Sequence, residues 1–462
     1  MSEIMQPLGR LPEPETEENV ADPDTDNSES MDDQTKLYEI EVDTSSEEVY
    51  DHEPNILTLS DQMWLFYEEY RQTPKMLHDK LQLRDMLHKA LRAVFPACGL
   101  YVVGSSLNGF GNKTSDMDLC LMVASADLDQ RTDAIMVLNM AMNALSDKNV
   151  VREQKLIHAK VPILRIEFVS PYENIIVDLN ANNAVAIKNT HLLYKYSSFD
   201  WRVRPMVSVV KEWAKRRGMN DAKHSSFTSY SLVLMVIHYL QCGLEKPILP
   251  SLQEKFGMMF NETNGVKSLN MTSDIDTEFL HVWSYDLEYT LGDLLIGFLH
   301  YYACRFDYDT DAISVRLGMK TNRAYVAQNK SPYNTLTQWR CICIEEPFTM
   351  SNTAHSVYDD VVFSAIKEAF QQGYEMLLKC QDLKEFMKMQ PIAVPMGIHR
   401  MVHYNAHVTV MERSSFSTTS SATSCSRTRQ MPNQLLNMLS GTKRPDHMMR
   451  NIPSDCSFQY AV

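Results

Sequence analysis

The chain has 462 residues, with 44 Lys and Arg against 59 Asp and Glu and a formal net charge of −15, and is long enough for two or three domains with sizeable cores. The acidity is local: residues 1–53 hold 18 acidic and two basic side chains, Arg10 and Lys36, which leaves a nearly neutral remainder that neither excludes nor demands a polyanionic ligand. The longest apolar runs, such as 231–237, are too short to span a bilayer. The first residues lack a charged-then-apolar leader, and nine Cys without a CxxC pair read as reduced thiols of an intracellular protein rather than a zinc site.

Residues 1–53, rich in Glu, Asp, Ser and Pro, bury too little apolar surface to offset their ordering entropy and are expected to be disordered. From Leu57 through Tyr70 the apolar spacing predicts an amphipathic helix, with Thr58 or Ser60 as its cap. After Pro74 a second helix runs from Leu81 to Val94 and stops at Pro96. These two helices, over 54–95, are expected to pack on a central helical domain. Strand-like text follows at 100–103, 119–123, 161–169 and 175–179, with a helix at 134–145. An α/β or α+β unit is therefore expected over 96–187. From 188 to 398 the text is mainly helical, most clearly at 206–217, 228–242, 291–302 and 357–388. The Ser/Thr-rich segment 399–462 has no periodicity and is expected to be a second disordered tail.

The informative stretch is 101–123, YVVGSSLNGFGNKTSDMDLCLMV. A strand delivers Gly104 and Ser105, where a bare backbone and a hydroxyl suit a phosphate. Asp116 and Asp118 then stand two apart at the start of the next strand, so they share a face. Carboxylates so placed repel one another unless a cation lies between them, and hard oxygen ligands suit Mg²⁺. Asp178, in the apolar run 175–179, is costly to bury alone and supplies a third carboxylate. Three such groups suit two metal ions, with Asp178 facing the attacking hydroxyl.

Similar fragments elsewhere are read as bland. Asp127 and Asp129 form a solvated DxD. Asp307, Asp309 and Asp311 begin like a calcium loop, but Ala312 and Gly318 stand where Gly and Glu are needed. Phe110 replaces the Lys of a P-loop, and Thr114 the third Gly of a dinucleotide fingerprint. His399, His403 and His407 are spaced four apart beside the Ser/Thr tail and carry no expected role.

The segment GSSLNGFGNKTSDMDLCLMV resembles the signature of DNA-polymerase-β-like nucleotidyltransferases. More narrowly it resembles their cytoplasmic poly(A) polymerases and terminal uridylyltransferases, particularly the germline-development-defective-two type. VDLNANNAVAIKNTHLL, VRPMVSVVKEWAKRRGMND, SFTSYSLVLMVIHYLQ and CICIEEPFTMSNTA agree, so the likeness runs over about 57–390. The resemblance implies an α+β chain, with a nucleotidyltransferase domain of mixed sheet and helices beside a PAP-associated helical domain. It implies Asp116, Asp118 and Asp178 as catalytic metal ligands for Mg²⁺ or Mn²⁺. Gly104, Ser105, Asn189, Lys211, Lys215, Ser229 and Tyr230 follow as nucleotide-binding residues. Lys211 and Lys215 stand i, i+4, so on a helix they share a face. The implied reaction is template-independent addition of adenylate from ATP to the 3′ end of cytoplasmic mRNA. A separate RNA-binding protein would recruit the enzyme, and neither membrane nor DNA is an expected partner. Uridylyltransferases of this superfamily carry a uracil-reading His shortly after IEEPF. Residues 347–352 contain none, and His355, where related adenylyltransferases often have Arg, is expected at the surface. Use of UTP, a small-molecule nucleotidyltransferase and an inactive scaffold are the competing readings.

Overall fold

The computed structural model describes residues 57–392, apart from 127, 147, 272, 274, 276–288 and 329–335. The expected tails, the three spaced histidines and Asp127 lie outside the described residues.

Helix α1, Leu59–Tyr70, begins at a capping box in which Thr58 Oγ1 accepts from the Asp61 N–H (3.2 Å) while the Asp61 carboxylate accepts from the Thr58 N–H (3.0 Å). Helix α2, Pro74–Leu91, is capped by Thr73 with Pro at its first turn. Five strands follow: β1 Gly99–Val103, β2 Met117–Met122, β3 Val151–Ile157, β4 Ile163–Phe168 and β5 Ile176–Ala181, with α3, Asp133–Ser146, between β2 and β3. They form one sheet in the order β1-β2-β5-β4-β3, in which only the β2–β5 pair is parallel. Leu119, Leu121, Val177 and Leu179 face α2 and α3 and build the core of this lobe. Period-two alternation turns Asp118 and Asp178 to the opposite face.

The sequence places both first helices on the helical domain, and the structure divides them. Leu59 and Met63 of α1 lie in the helical core, whereas Leu83, Leu87 and Leu91 of α2 lie in the core of the sheet lobe. Strand β3 was not anticipated. It is an edge strand whose Arg152, Glu153 and Lys155 are exposed, so it lacks the apolar alternation that signals a half-buried strand.

Helix α4, Ala184–Phe199, touches β1 and β2 and leads into α5, Val203–Arg216, and α6, Ser229–His238. The helical core gathers around Trp213, whose ring stacks on Phe386 at 5.4 Å and lies against Phe370. The predicted helices at 228–242 and 291–302 each end in a π turn, at Tyr239–Gly243 and Tyr301–Arg305. The predicted helix 357–388 is two, Asp360–Cys380 and Leu383–Met387, separated by Gln381 in the left-handed region (φ 46°). Strands β6, Asp311–Ser314, and β7, Met319–Asn322, form a hairpin on which Ile344 makes a parallel bridge to Ile313. That bridge anchors the IEEPF segment in the helical lobe.

Candidate active site

Strand register builds the site. Val103, Asp118, Asp178, Arg165 and Lys155 stand in one row across β1, β2, β5, β4 and β3. Asp118 and Asp178 are direct neighbours on the parallel pair. The Arg165 guanidinium holds both oxygens of Asp178, donating from Nε to Oδ1 (2.8 Å) and from Nη2 to Oδ2 (2.7 Å). The same Nη2 reaches Asp116 Oδ2 at 3.0 Å. The three carboxylates named from sequence are therefore brought together on one face. Burial, reinforced by the neighbouring Asp178 and Asp116 charges, pushes the Asp118 carboxyl up to about 7. Asp116 is also raised, first by burial and then by Asp178, with Arg165 and Lys80 opposing.

Gly104 follows β1 with φ +68°, and a Cβ there would lie 2.6 Å from Asp118 Oδ2. Only glycine fits both the left-handed backbone and the carboxylate behind it. The Gly104 N–H donates to Thr190 Oγ1 of α4 at 2.8 Å, which ties the turn to the helical lobe. Lys80 braces the turn from below. It is the one charged member of the buried stripe Lys80, Leu83, Leu87 and Leu91. Its ammonium donates to Gln72 Oε1, Ser106 Oγ and the Ser115 carbonyl, each at 2.9 Å. Burial lowers its pKa to about 8, a shift partly offset by Asp118 and Asp116.

A cavity of about 1600 Å³ opens over this face and runs to the helical lobe. Gly104, Ser105 and Asp118 line it from the sheet side, and Asn189, Lys211, Lys215, Ser229 and Tyr230 from the helices. Asp116 and Asp178 are not in its wall; Asp178 lies one strand beyond Asp118. Lys211 Nζ donates to the Phe110 carbonyl at 2.9 Å, and burial followed by the Lys215 charge lowers its pKa to about 8. Asn180 and Asn189 each carry a buried Oδ1 without a partner among the described residues, and both line the cavity.

Phe348, the last residue of IEEPF, lines the far wall with Thr349, Met350 and Ser351, and the rest of the segment lies behind it. Buried Glu345 pairs with Arg316 (2.8 Å) and Ser314, a purely internal role. Glu346 accepts from the Tyr230 hydroxyl at 3.1 Å and from the N–H groups of Phe348 and Thr349. Burial and that carboxylate raise the Tyr230 phenol well above its usual value. Asn352 is 2 % exposed and bonds the Ile344 and Ala354 N–H groups and the Gln338 and Ile342 carbonyls. His355 is exposed and lies outside the cavity wall.

The rejected fragments stay local. Asp129 caps its own turn through Arg131 and Thr132, and Asp311 pairs with Lys320 at 2.6 Å. Cys341 and Cys343 are free buried thiols. Sequence reading missed Lys80, Arg165, Asn180 and Glu346. A lysine on the apolar stripe of α2 and an arginine beside apolar residues in β4 were the available signals.

Three carboxylates on one face, with their charge only partly balanced, are a donor set suited to a hard divalent cation. Among the described residues, no group of three acidic, His or Cys side chains stands ready to hold a metal ion in the present arrangement. Arg165 occupies the space between Asp116 and Asp178.

The mixed sheet with its carboxylate face, joined to a helical lobe across a cavity, defines a DNA-polymerase-β-like nucleotidyltransferase fold. Residues 59–198 match the family model described as poly(A) RNA polymerase, mitochondrial-like, central palm domain. Residues 290–352 match the one described as Cid1 family poly A polymerase. Poly(A) RNA polymerase gld-2 of Caenorhabditis elegans is 51% identical over 380 residues, 72% of this chain and 34% of that protein. Poly(A) RNA polymerase GLD2 of Mus musculus is 37% identical over 338 residues, 72% of this chain and 67% of that one. A solved GLD-2/RNP-8 complex contains a chain 55% identical, with a TM-score of 0.66, covering 72% of this chain and 98% of that one. The chain belongs to the GLD2 family of poly(A) RNA polymerases. It spans about a third of the length of the Caenorhabditis relative and about two thirds of the mouse one.

Proposed function

We propose that this chain is a template-independent RNA 3′-end adenylyltransferase that extends poly(A) tails of cytoplasmic mRNAs with ATP. The observation that carries this reading is the convergence of Asp116, Asp118 and Asp178 beside the Gly104 turn. Of the three, Asp118 lines a cavity whose helical side presents Lys211 and Lys215.

Gly104 and the Ser105 hydroxyl approach the triphosphate, and the two lysines of α5 neutralise it from the other lobe. Tyr230, oriented by Glu346, offers its ring to the base, and Asn189 and Ser229 offer polar contacts to the nucleoside. Asp116, Asp118 and Asp178 would hold Mg²⁺ or Mn²⁺, which when bound activates a 3′-hydroxyl and stabilises departing pyrophosphate. Asp178, one strand farther from the Gly104 turn than Asp118, is the carboxylate assigned to the attacking hydroxyl. The absence of a His in 347–352 supports adenine over uracil.

The near-neutral body gives weak electrostatic affinity for RNA, so a separate RNA-binding protein is the proposed means of recruitment. A relative was solved in a complex named GLD-2/RNP-8. Free thiols at every described cysteine fit the cytoplasmic location, and no described helix is long and apolar enough to cross a membrane. The test is extension of a labelled RNA primer with each of the four nucleotides. Extension with ATP is expected. Extension with UTP alone, or none with any nucleotide, refutes the proposal.

A further inference from the structure

Arg165 is placed by register, opposite Asp178 on β4, and its neighbours leave it one direction to face. Glu167, two residues along the same strand, pairs with Arg152 of β3. Lys155, the next member of the row, is exposed at the sheet edge. On the other side stand Asp178 and Asp116, and Arg165 hydrogen-bonds both. The second nearby cation, Lys80, has its three described hydrogen bonds on Gln72, Ser106 and the Ser115 carbonyl, and none on a carboxylate. Among the described residues, direct hydrogen-bonded neutralisation of the cluster therefore falls to Arg165.

The fork has a chemical consequence. A guanidinium bonded to both oxygens of Asp178 takes the positions that a divalent ion would use. A cation and a metal that share the same carboxylates are linked, so each weakens the other's hold.

We propose that Arg165 is a built-in counter-cation of the carboxylate cluster. It keeps Asp116 and Asp178 together in the metal-free protein and competes with the divalent ion for Asp178. This rests on the proposed function only in taking these three carboxylates as the metal ligands. Arg165 is a positioning residue: it acts through the carboxylates and touches no reacting atom.

The test needs no nucleotide. The full chain and its R165M and R165K variants are stripped with chelator. Mn²⁺ binding is then read from the paramagnetic resonance signal of free Mn²⁺, and thermal midpoints are measured with and without Mg²⁺. R165M is expected to bind Mn²⁺ more tightly, on the order of tenfold, the size of a typical coupling between linked ligands. Its metal-free midpoint falls below that of the parent, and Mg²⁺ restores more of it than Mg²⁺ adds to the parent. R165K keeps the charge without the fork and is expected to fall between the two. It carries the measurement if R165M does not fold without metal. Adding D118N to the tighter-binding variant removes the gain, which assigns it to this cluster. Equal or weaker Mn²⁺ binding in R165M and R165K overturns the proposal, because an ordinary structural ion pair would not compete with the metal. A chain that binds Mn²⁺ as expected yet adds no nucleotide to RNA overturns the proposed function and leaves this inference standing.

Discussion

Replacing Gly104 by Ala tests the link between backbone and chemistry at the smallest possible scale. The new methyl meets two penalties. At φ +68° an L-residue is strained by about 1–2 kcal/mol. The methyl also lies 2.6 Å from Asp118 Oδ2, so the carboxylate must retreat by roughly 0.8 Å to reach ordinary contact. Asp118 stands in register between Val103 and Asp178 and lines the cavity, so a carboxylate pushed off the turn shifts relative to its neighbours in the cluster. A displacement near 1 Å at a reacting centre lowers rates about 100-fold. The assay is primer extension with ATP on G104A, alongside its thermal midpoint. The expected result is a loss of kcat near that size, with a stability loss of about 1–3 kcal/mol and a folded chain. Activity within about threefold of the parent would refute the idea that the turn sets the position of Asp118.

Asp118→Ala is expected to abolish nucleotide incorporation while the circular dichroism spectrum and thermal transition remain those of a folded protein. Lys211, lowered to about 8 by burial and Lys215, must be charged to hold a triphosphate. kcat/KM for ATP is therefore expected to fall about tenfold per pH unit above roughly 8, and K211R to remove that fall. Because folding favours the neutral amine, the stability cost of Lys211 is fully present below about pH 8. It is relieved as pH rises from there toward the ordinary lysine value of 10.5, which denaturation across that range measures. Lys80→Met leaves Gln72, Ser106 and Ser115 without their shared donor. An expected cost of about 1–3 kcal/mol in denaturant unfolding follows, together with a raised KM for ATP. An unchanged KM would separate Lys80 from the turn it braces.

Much of the site was legible because its parts lie in short strands with strong local patterns. Asp118 and Asp178 are polar residues at alternating positions among Leu119, Leu121, Val177 and Leu179, so burial of one set fixes the direction of the other. Gly104 could be read as a close approach, but not what approaches it; the neighbour is Asp118 itself. The cations were harder to see. Arg165 takes its meaning from register, which a single strand does not reveal. Lys80 looks like one charged residue on a helix until the Gln72, Ser106 and Ser115 acceptors are placed around it. Strand β3 carries edge charges in place of an apolar stripe, and the assignment of α2 to the sheet lobe depends on tertiary packing. The second Glu of IEEPF gained its role only when α6 brought Tyr230 to it.

The most direct measurement is crystallographic: anomalous diffraction from crystals of the chain grown with Mn²⁺ and a non-hydrolysable ATP analogue. The account predicts manganese peaks among Asp116, Asp118 and Asp178, with the triphosphate reaching from the Gly104 turn toward Lys211 and Lys215. Nucleotide bound in the cavity with manganese absent from that trio, or bound elsewhere on the chain, would contradict it.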